Sequence, residues 1–435
     1  MKVTGLITEY NPLHLGHRFH LREARRQTNA DYLIVVMSGN FTQRGIPAVT
    51  DKYLRTAMAL AAGADLVLEL PLWPATSSAE YFAAGGVTLL HRLGVVTHLA
   101  FGCENNNMQR LWEYAALLGS ETPEFKKQIR LAQKQGISYP RARAAALSSC
   151  LSHRKEGEAS LDSAFFSSPN NILGVEYCKA LQSLQSHISP VAILRQGHGY
   201  HDTSLAHGEG FLSASALRSH LLNVYDQTAG SAADFSSDSA ASSLLRESMP
   251  RESADMLTKT WGISTPVGSN DFSLLLKYRL LSLSSEELSE YADVSGPMAD
   301  RMMGCFDRFT DFEGFCSLLK TKNLTYTRIS RGLLHILLDM KERQRAHYVQ
   351  KNHPGYARVL GFKKTSTPLL KEIKQKGSIP LLSKPADARL QLPEESLSWL
   401  RQEIYASHIY ETVVADKFKR PFRNEYQRQI LIWED

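Results

Sequence analysis

Cysteine is scarce in this chain: five in 435 residues, at positions 103, 150, 178, 305 and 316, with no Cys-x-x-Cys pair. An odd number without paired spacing argues against a zinc ribbon or a disulfide framework and points to a reducing cytoplasm. Long apolar runs are missing too, since no stretch of about 18 apolar residues is available to span a bilayer. The chain starts directly on strand-forming residues rather than on the basic and apolar regions of a secretory leader, so no targeting segment is expected. Low-complexity sequence is confined to 227–243, rich in Ser, Ala, Gly and Asp, which is the best candidate for a linker or surface loop. No internal repeat is visible.

What remains is the composition of an ordinary globular protein, 43% hydrophobic and 22% charged. Its length suits two or three domains with a proper core. The net charge of +6 is unevenly placed. Between 320 and 376 there are 14 Lys and Arg against three acids, Asp339, Glu342 and Glu372. A block of that kind is an electrostatic footprint for a polyanion, although a solvated helical surface would look similar. The same block carries Tyr326, His335, His347, Tyr348, His353 and Tyr356, side chains able to stack on bases, which favours RNA.

Apolar runs at 3–8, 32–37, 66–70 and 95–101 read as buried parallel strands, with helical patterns at 17–28, 51–62 and 76–92 between them. This alternation predicts an α/β fold with a doubly wound parallel sheet and right-handed crossovers. Residues 107–150 read as a helical insertion, 171–185 as a further helix, and 191–195 as another strand. The expected organisation is a catalytic region over 1–225, a linker or loop over 226–265, and a mainly helical, basic region over 266–435 that ends in a short strand at 429–433.

The most informative segment is Thr4-Gly5-Leu6-Ile7-Thr8-Glu9-Tyr10-Asn11-Pro12-Leu13-His14-Leu15-Gly16-His17. It reads as a strand, a turn opened by Asn-Pro, and His-x-Gly-His leading into a helix that Thr28-Asn29 ends. Helix N-termini favour anions, and Gly16 removes a side chain that would obstruct close approach. His14 and His17 can donate to phosphate oxygens, as neutral imidazoles or as imidazoliums. His-x-Gly-His alone is common by chance. Its strand–turn–helix setting makes it a candidate site for chemistry at a nucleotide's α-phosphate. Ser38-Gly39-Asn40 and Gly102 follow the second and fourth strands and therefore fall on the same sheet edge.

Taken together, the segments Asn11–His17, 38–48 (Ser-Gly-Asn-Phe-Thr-Gln-Arg-Gly-Ile-Pro-Ala), 101–104 (Phe-Gly-Cys-Glu), 168–177 and 320–331 resemble the bacterial tRNA(Met) cytidine acetate ligase family. That family lies within the HIGH-motif nucleotidyltransferases, the superfamily that includes class I aminoacyl-tRNA synthetases. The resemblance implies an ATP-dependent carbon–nitrogen ligase, a cytoplasmic tRNA-modifying enzyme. Such an enzyme condenses acetate with ATP to acetyl-adenylate and passes the acetyl group to the exocyclic amine of the wobble cytidine of elongator tRNA(Met). The rivals are a nucleotidyltransferase acting on a small metabolite, which would leave the basic C-terminal part unexplained, and a non-catalytic RNA-binding factor, which would not need both histidines.

By the resemblance, ATP is the co-substrate and is lined by Ile7, Thr8, Glu9, Tyr10, Asn11, Pro12, Leu13, His14, Leu15, Gly16, His17, Arg18, Phe19 and His20, with Gly102, Asn170 and Arg195. His14 and His17 are the implied catalytic residues. Asn170 and Asn171 also stand where a helix begins, so capping competes with nucleotide contact. Ser213, Ser215 and Arg218 loosely resemble the superfamily's second phosphate signature, without its Lys-Met-Ser-Lys-Ser form. Lys320, Lys322, Arg328 and Arg331 form the expected tRNA-facing patch. Lys52 and Arg55 face either substrate or solvent, whereas Asp65 and Glu69 beside a buried strand are expected to be structural. Mg²⁺ is the usual companion of ATP, but no carboxylate cluster marks a metal site of its own.

Overall fold

The computed structural model describes residues 1–120, 122–135, 168–195, 212–227, 240–350 and 355–434, with isolated positions between 142 and 165. Most of the expected linker at 227–243 lies outside the described residues, as do His353 and Cys150.

The N-terminal strands are β1 (Val3–Thr8), β2 (Tyr32–Ser38), β3 (Leu66–Leu70), β4 (His98–Cys103) and β5 (Ser189–Leu194). Their continuous apolar runs follow from burial on both faces. In β2, Leu33, Val35 and Met37 enter the core on one side of the sheet, while Ile34 and Val36 enter the core on the other. Helix α1 (Leu15–Thr28) connects β1 to β2 and ends at Asn29 in the left-handed conformation. Helix α2 (Lys52–Ala61) connects β2 to β3, and the Ala79–Arg92 helix connects β3 to β4. That last helix lies close on β1, because a Cβ on Gly86 would sit 2.6 Å from the Ile7 side chain. The fourth strand starts three residues later than the apolar run suggested. Val95 and Val96 are buried ahead of it as core rather than as strand.

With β6 (Ala357–Lys363), β7 (Leu381–Leu382) and β8 (Leu431–Trp433), the described residues form an eight-stranded sheet of order β5-β4-β1-β2-β3-β6-β7, with β8 also pairing β6. Successive strands run outward from β1 through β2 to β3, and then the chain crosses back to place β4 and β5 on the other side of β1. The crevice beyond the carboxyl ends of β1 and β4 is therefore the topological switch point, where doubly wound sheets bind ligands.

The expected boundary between a catalytic region and a C-terminal helical region is not respected by this sheet. Strands β6, β7 and β8 come from the C-terminal region and complete it. β6 runs antiparallel to β3, pairing Leu66 with Phe362 and Val67 with Gly361. The Arg251–Thr260 helix likewise packs on α2, and its Ala254 and Leu257 share a core with Met58. The helical part proper is a second core built by Phe272, Leu276, Phe312, Phe315, Leu333, Leu337 and Tyr410. It meets the sheet region through Phe41, whose ring lies 5.6 Å from Phe272 and 6.0 Å from Tyr410. Among the described residues no helix is long and apolar enough to cross a membrane.

Candidate active site

Where β1 ends, the chain reverses into α1. Tyr10 takes a left-handed φ of 47°, unusual for a bulky residue, and its buried ring lies 5.0 Å from that of His17. Asn11 is buried and its Oδ1 accepts from Val49 N at 2.8 Å. Pro12 and Leu13 are buried as well. These residues build the turn. Neither they nor Leu15 and Arg18 line the cleft, so the ATP-lining stretch expected from 7 to 20 is narrower in the structure. Ile7, Thr8, Glu9, His14, Gly16, His17, Phe19 and His20 do line it.

His14 is the N-cap of α1, an uncommon choice for that position. Its Nδ1 accepts from Gly16 N at 3.0 Å, and His17 Nδ1 accepts from His14 N at 3.2 Å. This is a capping box made from two imidazoles, with the rings stacked 3.7 Å apart. Its chemical consequence is direct. Each Nδ1 lone pair is occupied, so in the neutral ring the proton sits on Nε2. Both rings border the cleft and can offer it an Nε2–H donor.

Burial pushes the His14 imidazole down to about 3, and the charges of Arg195 and Arg218 push the same way. His17 is held well below its usual value, by burial first and then by His14, Arg195 and His20. Burial and Arg195 bring His20 down to about 4. Of the two forms open at the sequence level, the neutral imidazole is therefore the one present. Neutral donors fixed by their own backbone can meet charge that develops on a phosphate without reorganising.

The cleft encloses about 920 Å³ of open space, counting its mouth. Gly102 at the end of β4 and Arg195 just past β5 lie side by side, and a Cβ at 102 would stand 3.4 Å from Arg195 Cγ. Arg195 is exposed there and supplies positive charge. Asn170 borders the cleft and donates from Nδ2 to Glu104 Oε1 at 2.5 Å. Asn171 is instead buried, its Oδ1 accepting from the N–H groups of Glu104 and Asn105, each at 3.0 Å. Neither asparagine caps the Pro169–Ser183 helix, because Ser168 holds the N-cap position. Leu173 and Tyr177 complete this wall and were not anticipated. Their spacing from Asn170, three and then four residues, is the signal that could have found them.

The loosely expected phosphate contacts divide. Ser213 lines the cleft, and its Oγ accepts from Ala216 N at 3.1 Å at the start of the Ala214–Gln227 helix. Arg218 instead donates to the Asn11 carbonyl at 2.6 Å and to Ser215 Oγ at 3.1 Å, tying that helix to the turn after β1. Neither Arg218 nor Ser215 borders the cleft.

Lys52 and Arg55 face neither substrate nor solvent. Both are fully buried. Lys52 Nζ meets Glu69 Oε1 at 2.8 Å, Glu425 Oε1 at 2.6 Å and Ser407 Oγ at 3.0 Å. Arg358 pairs with Glu425 at 2.6 Å and with Glu69 at 3.0 Å. Arg55 binds the carbonyls of Glu9 at 2.7 Å, Ser38 at 3.0 Å and Thr50 at 3.2 Å, together with that of Gly39. It thereby holds the ends of β1 and β2 together. Asp65 accepts from Leu33 N at 2.7 Å and pairs with Arg25 at 2.5 Å, the structural role expected of it.

In the basic block, Lys320, Lys322 and Arg328 are exposed near the start of the Tyr326–Leu337 helix. Arg331 is turned inward, its Nε 2.8 Å from Asp293 Oδ2, so it leaves the expected patch. The aromatic side chains expected to stack on bases largely do not reach the surface. Tyr348 and Tyr356 are buried, and His335 is fully buried between Ala292 O at 2.9 Å and Thr76 O at 3.1 Å. Among the described residues no group of three or more His, Cys, Asp or Glu is placed to hold a metal ion.

The sequence profile described as HIGH Nucleotidyl Transferase matches residues 1–425. The chain belongs to that family. A tRNA(Met) cytidine acetate ligase of Clostridium novyi is 35% identical over 413 residues, covering 95% of this chain and 96% of the relative. One from Clostridium perfringens is 37% identical over 414 residues, covering 94% and 95% respectively. The crystal structure of Thermotoga maritima TmcAL bound with alpha-thio ATP superposes with a TM-score of 0.87 at 28% identity, covering 100% of both chains. Its apo form gives a TM-score of 0.89 at 29% identity with the same coverage. Within the HIGH nucleotidyltransferases, the chain thus stands among the tRNA(Met) cytidine acetate ligases.

Proposed function

We propose that this protein uses ATP to activate acetate as acetyl-adenylate and transfers the acetyl group to the exocyclic amine of the wobble cytidine of elongator tRNA(Met). A free carboxylate is a poor electrophile, and the cytosine amine is a poor nucleophile because its lone pair is delocalised into the ring. A mixed anhydride with AMP overcomes the first difficulty. In the first step an acetate oxygen attacks the α-phosphorus and diphosphate leaves. In the second the amine attacks the acyl carbon and AMP leaves.

The observation that carries this reading is the pair of neutral, Nδ1-anchored imidazoles at the switch point of the sheet. Their Nε2–H donors suit the α-phosphate as charge accumulates on it, and catalysis there is mainly positioning and charge stabilisation. Arg195 and the N-terminus of α1 supply the positive potential for the rest of the triphosphate. Asn170, Gly102 and Ser213 complete the nucleotide's surroundings. Lys320, Lys322 and Arg328 form the tRNA-facing patch, and the names of the full-length relatives supply the tRNA and the acid.

The test is incubation with labelled acetate, ATP and bulk tRNA. Acid-stable label in the tRNA with equimolar AMP is expected. Label without AMP, or no label at all, rejects the reading in favour of a nucleotidyltransferase acting on a small metabolite or a non-catalytic RNA-binding factor.

A further inference from the structure

Glu9 is the single carboxylate among the described residues that border the cleft. A carboxylate repels a triphosphate, so the phosphates give no reason for an acid at this place. Its position is held from two directions. Oε1 accepts from Gln43 N at 2.7 Å, and the Glu9 carbonyl accepts from Arg55 Nη1 at 2.7 Å. Both anchors belong to the β2 side of the cleft, whereas Gly102 and Arg195 follow β4 and β5 on the opposite side.

The loop that holds Glu9 also touches the basic helix. Ser330 Oγ donates to the Gly45 carbonyl at 2.9 Å. Gly45 has a φ of 74°, and a Cβ there would run into the Arg331 backbone. Gln43 and Gly45 are two residues apart, and Ser330 is two residues from Arg328 of the exposed patch. Glu9 therefore stands on the flank of the cleft that adjoins the surface assigned to RNA.

We propose that Glu9 takes the proton from the acceptor amine as that amine attacks the acyl-adenylate. The inference rests on the acetate-ligase reading above. As the nitrogen attacks, a C–N bond forms and the acyl C–O bond to the adenylate breaks. AMP departs with the bonding electron pair on its phosphate. The nitrogen's surplus proton passes to the Glu9 carboxylate and then to solvent. His14 and His17 cannot take it, since each Nδ1 is occupied and each Nε2 already carries hydrogen. His20 is the rival, because its Nε2 borders the cleft without a hydrogen-bond partner among the described residues.

The experiment separates the two half-reactions in the full-length enzyme. Adenylation is read as acetate-dependent exchange of labelled diphosphate into ATP, and transfer as single-turnover acetylation of tRNA. In Glu9→Gln the side-chain carbonyl can still accept from Gln43 N, so exchange is expected to fall far less than transfer. Transfer is expected to fall roughly 10²- to 10⁴-fold, the usual share of a general base. Glu9→Asp, with its carboxylate withdrawn by one methylene, should fall between. Exchange also reports that each variant is folded. The proposal is overturned if Glu9→Gln transfers at the wild-type rate, if both half-reactions fall together, or if the selective transfer defect belongs to His20→Gln instead. A wild-type enzyme without acetate-dependent exchange would sink the underlying reading, a different and distinguishable result.

Discussion

Two buried polar regions, one beyond β1 and one along α2, handle polarity in opposite ways. In the first, the His14 ring accepts from Gly16 N and the His17 ring from His14 N, and both keep their outer nitrogens for the cleft. His20 Nε2 and Tyr177 Oη there have no partner among the described residues. In the second, Lys52, Glu69, Arg358 and Glu425 spend their charges on one another. A buried polar group left unmade costs about 1–3 kcal/mol, so an unfilled set bordering a cavity marks a place where a ligand supplies the missing partner. In the ion network each charge already meets an opposite one. It joins the C-terminal strand β6 and the Glu394–Lys417 helix to α2, which makes it a fastener.

Substitutions can sharpen or break this contrast. The largest expected effect is on folding. Lys52→Met leaves Glu69 and Glu425 to share Arg358 alone, with one buried negative charge uncompensated, and a loss of about 3–5 kcal/mol is expected in urea unfolding. ATP affinity of the surviving folded fraction should be little changed. If Lys52→Met instead kept full stability and lost ATP binding, the two regions would have been assigned the wrong way round.

His17→Ala is the mirror experiment. It removes one transition-state donor, so adenylation should drop about 10²- to 10³-fold. Its stability cost should be only that of a lost cap, about 1 kcal/mol. Thermal unfolding and exchange rates measured on the same preparation separate these effects.

A smaller effect concerns pH. Burial, followed by the charge of Glu69, raises the Glu403 carboxyl to about 7, against the opposing pull of Arg358 and Lys52. In the folded chain Glu403 therefore keeps its proton at a pH where the unfolded chain has lost it. Its contribution is fully present below the ordinary value of 4.5 and is lost as pH rises to about 7. The slope is about 1.4 kcal/mol per pH unit in that window. Glu403→Gln should flatten that slope in denaturation curves between those limits. An unchanged slope would show that the folded chain does not hold Glu403 protonated.

The smallest effect belongs to the surface. Replacing Lys320, Lys322 or Arg328 by Ala should weaken tRNA binding several-fold and lower the salt dependence by about one unit for each phosphate no longer neutralised. Arg331→Ala should instead act on stability, because its partner Asp293 is held down to about 2 by the cations around it despite burial. A salt-slope change at Arg331 comparable to that at Arg328 would place it back in the patch.

Much of the nucleotide half was legible in the sequence, because its strands are continuous apolar runs and its motif is local. The runs at 3–8 and 66–70 match β1 and β3, and Asn29 ends α1 as its composition indicated. What escaped depends on contacts distant in sequence. β6 lies inside the basic block and carries Arg358 and Gly361, and only its pairing with β3 makes it part of the sheet. Lys52 could not be assigned because Ser407, one of its partners, lies 355 residues away. In the basic block, charge count could not tell Arg328 from Arg331, since the difference is an ion pair with Asp293. Composition likewise could not foresee that His335 and Tyr348 would pack inward.

The paired neutral imidazoles beyond β1 are assigned the activation of a carboxylic acid on ATP. That role is tested most directly by exchange of labelled diphosphate into ATP with and without acetate, in wild type and His17→Ala and with no tRNA present. Wild type is expected to show acetate-dependent exchange, and the variant to lose about 10²- to 10³-fold of it. Exchange that ignores acetate, or a His17→Ala enzyme that exchanges at the wild-type rate, would contradict the assignment.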